Sequence, residues 1–208
     1  MQKTWILALF VLAACSNTHI TSSWKNDHVP SVHYSKVMVL AMVPDNQRNI
    51  RQAMERSMVD QLRHNGYDAV SAFQEFGPKA FEGMTEQASV AKAKASGADG
   101  LLTISQTDHR RTRQYVPGTI YPSPWGWGWG WGGGYYSPGY VRSANRFAWE
   151  TNFYDVGTDK VLYSVQSNSF DPSSANDLAE SYSRQIVRDM KEKKVLVKQS
   201  RKDLADNN

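Results

Sequence analysis

Four tryptophans alternate with glycines in one short stretch of the chain, and these are the residues best suited to bind another molecule. They are Trp125, Trp127, Trp129 and Trp131, with Tyr135 and Tyr136 shortly after them. Side chains two residues apart project from one face of an extended chain, so the four indole rings would form a strip. Because an indole joins a large apolar surface to an N–H donor, such a strip suits a membrane interface, a sugar ring or a pocket on a partner.

Arginines flank this aromatic strip on both sides. Arg110, Arg111 and Arg113 precede it, and Arg142 and Arg146 follow it. Rings and cations together predict a binding site for phosphate-bearing lipid or lipopolysaccharide. The glycine-rich composition leaves a second interpretation open, in which residues 117–140 are a low-complexity loop without a fixed partner. Contact with a protein is the third interpretation, since four exposed tryptophans favour a partner that covers them.

The residue types that usually carry catalysis or bind metals form no recognised pattern. The histidines are His19, His28, His33, His64 and His109, and none of them has the spacing of a metal-binding motif. A single cysteine excludes a C-x-x-C pair, and no G-x-S-x-G nucleophile motif is present. We therefore expect a protein that is not an enzyme and that needs neither a metal nor a cofactor.

The first residues predict export from the cytoplasm. Lys3 precedes an apolar run from Trp5 to Ala14, and a run of about 10 residues is half the length of a membrane-spanning helix. The run ends in Leu-Ala-Ala-Cys, which resembles the lipobox of bacterial lipoproteins. Residues 1–14 are therefore expected to be a signal peptide that is cleaved before Cys15, the only cysteine of the chain.

Lipid on Cys15 would anchor the protein without a transmembrane helix. The lipobox resemblance implies three acyl chains, palmitate among them, and each buried methylene contributes about 0.8 kcal/mol to membrane binding. Ser16 follows the cysteine, and in Gram-negative lipoproteins a residue other than aspartate there usually directs the protein to the outer membrane. We expect the periplasmic face of the outer membrane, with the plasma membrane as the alternative.

The elements that would position these residues follow from the spacing of apolar side chains. Residues 15–35 are polar and predict a lipidated cysteine with a tether, and residues 36–43 predict a buried strand. A helix follows, with Ile50, Met54, Met58 and Leu62 at four-residue spacing. Residues 67–73 and 100–105 predict two further strands. The helix predicted between them, at residues 85–96, would carry Ala88, Ala91 and Ala95 inward.

The second half of the chain changes to the spacing of an antiparallel sheet. Alternation of Phe147, Trp149, Thr151 and Phe153 with polar residues predicts a half-buried strand, and residues 141–169 predict a β-hairpin. A last helix is predicted from Leu178, Tyr182, Ile186 and Met190, which recur every four residues, and Ser174 and Asp177 have capping-box spacing.

The order of these elements predicts the fold class. It is an α/β fold with a single mixed sheet, β-α-β-α-β followed by a β-hairpin and a C-terminal helix, in which the helices pack on the sheet in two or three layers. The α/β domain would cover residues 36–194, with the loop at residues 117–140 inserted in it. Residues 195–208 would form a charged tail.

Several short segments together resemble a family of small, periplasm-facing lipoproteins of Gram-negative bacteria, a family of unknown function. Besides the lipobox they are TSSWK at residues 21–25, SGAD at 96–99, NFYDV at 152–156 and FDPSS at 170–174. Such families are similar in fold to the amino-terminal α/β domains of envelope translocation and secretion lipoproteins. The resemblance implies a binding or assembly role and supplies no catalytic residues.

Two functions are consistent with these patterns. The first is a membrane-anchored, non-enzymatic lipoprotein of the cell envelope, which acts as a binding or scaffold domain for an envelope protein on the periplasmic side. The second is a module that binds an envelope glycan or lipopolysaccharide through the Trp-Gly loop. The formal charge of +4 gives no reason to expect nucleic acid as a partner.

Overall fold

The computed structural model describes residues 17–28, 33–121 and 135–197. The strands are β1 (Thr18–Lys25), β2 (Val37–Met42), β3 (Ala69–Ser71), β4 (Gly100–Val116), β5 (Thr119–Tyr121), β6 (Tyr135–Ser137), β7 (Tyr140–Asp155) and β8 (Lys160–Phe170). The helices are α1 (Arg48–His64), α2 (Ala72–Phe76), α3 (Glu86–Ala95) and α4 (Ala175–Glu192). In this part of the chain, no helix is both long and apolar enough to cross a bilayer.

Several sequence predictions concern residues outside these ranges. The predicted signal peptide at residues 1–14, the lipidation site Cys15 and residues 198–208 of the predicted tail are not among the described residues. The same is true of Trp125, Trp127, Trp129 and Trp131. Tyr135 and Tyr136 lie in β6, which pairs with β5.

Six strands form one mixed sheet in the order β1-β8-β7-β4-β2-β3. β2 lies parallel to both β3 and β4, because α1, α2 and α3 are the crossovers that carry the chain back across the sheet. From β4 through β7 and β8 to β1, every neighbouring pair is antiparallel. The predicted fold class is thereby confirmed: an α/β fold with a single mixed sheet, a β-hairpin and a C-terminal helix.

The main core lies between the sheet and the pair of helices α1 and α4, on what we call the inner face of the sheet. The buried helix residues include Met54, Met58 and Leu62 of α1 and Leu178, Tyr182, Ile186 and Met190 of α4, as their four-residue spacing predicts. They pack against alternate strand residues such as Val39, Phe153 and Tyr163. Each such side chain contributes about 1.5 to 3 kcal/mol when it is fully buried.

The outer face of the sheet is covered only in part, by α3. Val90 and Ala93 of this helix pack over Met38, Leu40 and Leu101. The prediction that Ala88, Ala91 and Ala95 point inward is wrong, because these three residues are exposed. Val90 is the one large aliphatic side chain of α3, and burying it turns the helix so that Ala93, three residues further on, also faces the sheet.

Two predicted strands differ in extent from those observed. The strand predicted at residues 67–73 pairs only over Ala69–Ser71, and the Ser71 hydroxyl then caps α2 by accepting the Gln74 N–H at 3.1 Å. The strand predicted at residues 100–105 continues to Val116, because β7 gives it a pairing partner over its whole length. Its polar second half has no apolar alternation from which the extension could be predicted.

β1 corrects the prediction of a tether over residues 15–35. Thr18–Lys25 pairs with β8 as an edge strand, with Thr18 opposite Ser169 and Lys25 opposite Tyr163. Polar side chains suit this strand because one of its faces meets solvent. Only two residues, Ser16 and Asn17, therefore separate Cys15 from the sheet.

Asp189 of α4 attaches β1 to the rest of the domain. Its Oδ2 accepts the Ser23 hydroxyl of β1 at 2.5 Å and the Tyr163 hydroxyl of β8 at 2.7 Å. We expect Asp189→Ala to lower the free energy of unfolding, measured in urea, by about 2 kcal/mol or more, because two hydroxyls lose a charged acceptor. Asp189→Asn keeps an acceptor oxygen and should lose less. An equal loss in both variants would contradict this role.

Candidate functional site

β4 and β7 extend together beyond β2, and their far ends extend beyond β8 as well. We define the ribbon as residues 108–116 of β4 with residues 140–148 of β7. β2 pairs with β4 only as far as Ser105, and β8 pairs with β7 only from Arg146 onward. At about 3.4 Å per residue, the nine pairs of the ribbon extend about 30 Å. The sheet therefore ends in a narrow arm whose outer part has no neighbouring strand.

The five arginines selected from the sequence all lie on this ribbon and are exposed. They are Arg110, Arg111, Arg113, Arg142 and Arg146. Asp108 is the one acidic residue of the ribbon, so the ribbon has a formal charge of +4. This equals the charge of the whole chain, and the remaining residues are therefore neutral in sum. The structure thus brings the predicted cations together on one projecting arm.

Strand alternation divides the arginines between the two faces of the ribbon. Arg110, Arg142 and Arg146 continue the outer face of the sheet, and Arg111 and Arg113 continue its inner face. The pairing register, which the sequence alone does not supply, decides this division.

On the outer side of the ribbon two arginines face each other. Arg110 lies directly opposite Arg146, and like charges in this position destabilise an antiparallel pair. Arg110 Nε contacts Asp108 Oδ2 at 2.7 Å, while the Arg146 guanidinium lies 5.3 Å from the centre of the Phe170 ring. These are exposed contacts, which contribute at most about 1 kcal/mol each. The two arginines therefore remain accessible to an anion.

The inner side of the ribbon carries a stacked pair at its base. The His109 ring lies parallel to the Phe147 ring with 4.3 Å between centroids. Arg111 and Arg113 follow on the same face, and both are exposed. His109 thus lies within the ribbon, a position that its sequence neighbourhood does not predict.

The far end of the described ribbon is apolar and aromatic. Tyr115 is 66% exposed, Tyr140 56% and Val141 61%. Beyond them β5 and β6 continue the hairpin, and Tyr121 pairs with Tyr135. Cations therefore lie nearer the sheet and apolar side chains lie further out. No sequence pattern distinguishes Tyr115, Tyr140 or Val141 as binding groups, and only their exposure in the structure shows them as surface groups.

The start of the described chain lies at the base of the ribbon. The Asn17 carbonyl accepts the Phe170 N–H at 2.8 Å, and Phe170 lies opposite Arg146. Cys15 is two residues before Asn17. Asn17, the first described residue, and the cationic ribbon therefore belong to the same end of the sheet.

A second candidate surface is the uncovered part of the outer sheet face, which we call the open face. It is formed by outward side chains of β1, β8 and β7: Ser22, Trp24, Glu150, Asn152, Ser164, Gln166 and Asn168. The Trp24 ring is 50% exposed there, and the Asn152 amide donates to Glu150 Oε1 at 3.1 Å. The open face is therefore a row of amides and hydroxyls with one carboxylate and one indole.

A cavity of about 260 Å³ opens beside the carboxyl end of β2, and a buried carboxylate lies at its floor. Glu55 Oε1 accepts the Ala41 N–H at 2.9 Å, and Oε2 accepts the Ser71 hydroxyl at 2.5 Å and the Phe73 N–H at 2.8 Å. Burial raises the pKa of Glu55, and these hydrogen bonds only partly oppose the increase. Because both oxygens are occupied by groups of the fold, Glu55 joins α1 to β2 and α2 and is not a free acid.

Other buried polar groups are also engaged by the fold. Burial raises the pKa values of Tyr34 and Tyr163, whose hydroxyls donate to Asp155 at 3.2 Å and to Asp189 at 2.7 Å. Within residues 17–28, 33–121 and 135–197, no group of three histidine, cysteine or acidic residues has the geometry to hold a metal ion. The surfaces, rather than an internal cleft, therefore carry the candidate binding groups.

Comparison with known proteins gives a likeness of fold and no family. No family model matches the chain, and no curated protein matches it. The PelC dodecamer from Paraburkholderia phytofirmans is similar in structure, with a TM-score of 0.50, 13% identity and coverage of 88% of this chain and 99% of the PelC chain. Lipoprotein GNA1162 from Neisseria meningitidis aligns with a TM-score of 0.43 at 16% identity, over 76% of this chain and 99% of its own.

Glu55→Gln tests the structural role of the buried carboxylate. The amide places an NH2 group where an acceptor oxygen stood, so we expect the free energy of unfolding to fall by about 2 kcal/mol. Since the folded-state pKa of Glu55 lies above its ordinary value of 4.5, folding is favoured by protonation. This stabilisation is complete below pH 4.5 and is lost as the pH rises through the folded-state pKa.

The measurement is urea unfolding of both proteins across a pH series. The stability difference between wild type and Glu55→Gln should shrink as the pH rises, because other titrating groups cancel in the difference. A difference that grows with pH would contradict the raised pKa.

Proposed function

We propose that the protein is a membrane-anchored, non-enzymatic lipoprotein of the cell envelope, which acts as a binding or scaffold domain on the periplasmic side. The observation that carries the proposal is the open face. α1 and α4 cover the inner face of the sheet, whereas the outer side of β1, β8 and most of β7 presents polar side chains and Trp24 to the surroundings. A rigid sheet with one uncovered face suits the capture of a protein partner.

The engagement of the buried carboxylate by the fold supports a role without catalysis. Glu55 is the buried carboxylate of the described residues, and both of its oxygens accept hydrogen bonds from groups of the fold. A general acid or base must instead reach a substrate with a free oxygen. The described part of the chain thus favours recognition over chemistry.

The membrane attachment in this proposal is lipid on Cys15. Cleavage before Cys15 would leave the acylated residue two positions from Asn17, which is already fixed to β8. The domain would then sit directly on the membrane instead of at the end of a long tether. We place the anchor in the periplasmic face of the outer membrane, with the plasma membrane as the alternative.

The fold supports a scaffold role as well as a binding role. PelC, whose chain has a similar fold, forms a dodecamer. An α/β body of this kind therefore serves there as the repeating unit of an assembly. For the present chain, we propose that the open face contacts another envelope protein and that a second copy of the chain is the first partner to test.

The alternative function is binding of an envelope glycan or lipopolysaccharide through the Trp-Gly loop. The observation that favours it is that the cationic ribbon leads directly into residues 122–134, which hold the four alternating tryptophans. Tryptophan fluorescence titrated with purified glycan and lipopolysaccharide separates the two functions. A saturable shift that disappears when residues 117–139 are replaced by Asn-Gly, a hairpin turn, would favour the alternative.

A photocrosslinking amino acid at Gln166 tests the proposed function, because Gln166 is exposed near the middle of the open face. We expect ultraviolet light to give an adduct in the cell envelope, and mass spectrometry then identifies the partner or a second copy. The matched control places the photocrosslinking amino acid at position 184 instead. Arg184 is exposed on α4, which covers the inner face of the sheet. No adduct at position 166, or equal adducts at both positions, would contradict partner binding by the open face.

A further inference from the structure

Charge and apolar surface follow one another along the ribbon. Its five arginines lie between the third and the seventh of the nine residue pairs, whereas Tyr115, Val141 and Tyr140 lie at the eighth and ninth pairs and form the exposed end of the described part. The surface of a bilayer also has a charged layer next to an apolar one. The lipid phosphates are in contact with water, and the interface with the apolar acyl chains lies just beneath them. Aromatic and aliphatic side chains favour the interface, and arginines favour the phosphates.

The arrangement of the cations also calls for an anion. Arg110 and Arg146 repel one another across the ladder. Asp108 contacts Arg110, and Asp171, just after β8, contacts Arg142 at 3.2 Å, so two carboxylates face five arginines. The guanidinium group binds phosphate oxygens through two parallel N–H donors. A phosphate beside Arg110 and Arg146 would therefore remove a repulsion that the strand pairing imposes.

The start of the chain determines how the ribbon can meet a membrane. Asn17 is fixed at the ribbon's base, and two extended residues span only about 7 Å. If lipid holds Cys15, the base of the ribbon lies at the headgroups. An arm of about 30 Å then either runs along the surface or points away from it, because arginines have a high cost inside the hydrocarbon. The exposed apolar end formed by Tyr115, Tyr140 and Val141 favours the surface.

We propose that the ribbon lies along the surface of the anionic membrane that holds the anchor, with its arginines bound to lipid phosphates and its apolar end in the interface. This inference rests on the anchor of the proposed function. The ribbon is narrow and arginine side chains are long, so those on both faces reach the phosphate level. The membrane contact orients the domain and leaves the open face of the sheet to the protein partner.

A nitroxide label at Val141→Cys tests this contact in the lipidated protein reconstituted in vesicles. We expect the label to be shielded from a water-soluble relaxation agent in vesicles of phosphatidylcholine and phosphatidylglycerol in equal parts, and accessible in pure phosphatidylcholine. The matched label is Lys94→Cys, which is exposed on α3 at the opposite end of the sheet. It should stay accessible in both vesicles.

Arg111→Gln with Arg113→Gln is the variant that removes charge without disturbing the Asp108 contact. Each arginine near an anionic surface contributes about fivefold to binding, so this double variant should lower the ratio of bound to free ribbon about 25-fold. Arg56→Gln with Arg184→Gln removes the same charge from the exposed surfaces of α1 and α4 and should leave the ratio unchanged.

Three results would overturn the proposal for the ribbon. The first is that the labels at positions 141 and 94 are equally accessible in anionic vesicles. The second is that the label at position 141 is shielded as strongly in neutral vesicles as in anionic ones. The third is that both double variants lower the ratio of bound to free ribbon by the same factor. A chain that carries no lipid and stays off both vesicles contradicts the anchor instead. The failure of the anchor is therefore distinguishable from the failure of the ribbon contact.

Discussion

The antiparallel pairing of β4 with β7 is the interaction on which the rest of the structure depends. It lies at the centre of the sheet and joins the parallel half, β2 and β3, to the antiparallel half, β8 and β1. Its register is determined by the burial of Phe147, Trp149 and Phe153, because a slip of one residue would turn these rings outward and bring Arg146 into the core. The pairing of β4 with β7 is longer than the pairing of β4 with β2 or of β7 with β8, and the additional length forms the ribbon.

Two carboxylates, the buried Glu55 and the partly buried Asp189, hold the helices on this sheet. Glu55 connects α1 to β2 and α2, and Asp189 connects α4 to β8 and β1. Both act as acceptors for groups of the fold on the inner side of the sheet, whereas α3 covers only part of the outer side. The open face is therefore available to a partner, and Asn17 and the ribbon share one end of the sheet.

Elements whose apolar residues recur with a regular period can be predicted from the sequence. Elements that form for a reason other than burial cannot be predicted in this way. Met54, Met58 and Leu62 of α1 and the cap of α4 at Ser174 follow from spacing alone. β1 and the outer half of β4 are polar, and they are strands only because β8 and β7 offer pairing partners far along the chain. The sequence shows that the arginines lie near the tryptophans. Which face of the ribbon each arginine occupies depends on the pairing register of β4 with β7, and that register is known only from the fold.

The central claim is that lipid on Cys15 holds the ribbon end of the sheet at the membrane. The intact mass and the membrane fraction of the native protein, beside a Cys15→Ala variant, test it most directly. The account predicts a chain that begins at Cys15, carries acyl chains and is found in the outer-membrane fraction, all of which the substitution abolishes. An unmodified chain in the soluble fraction would contradict the anchor and with it the orientation of the ribbon.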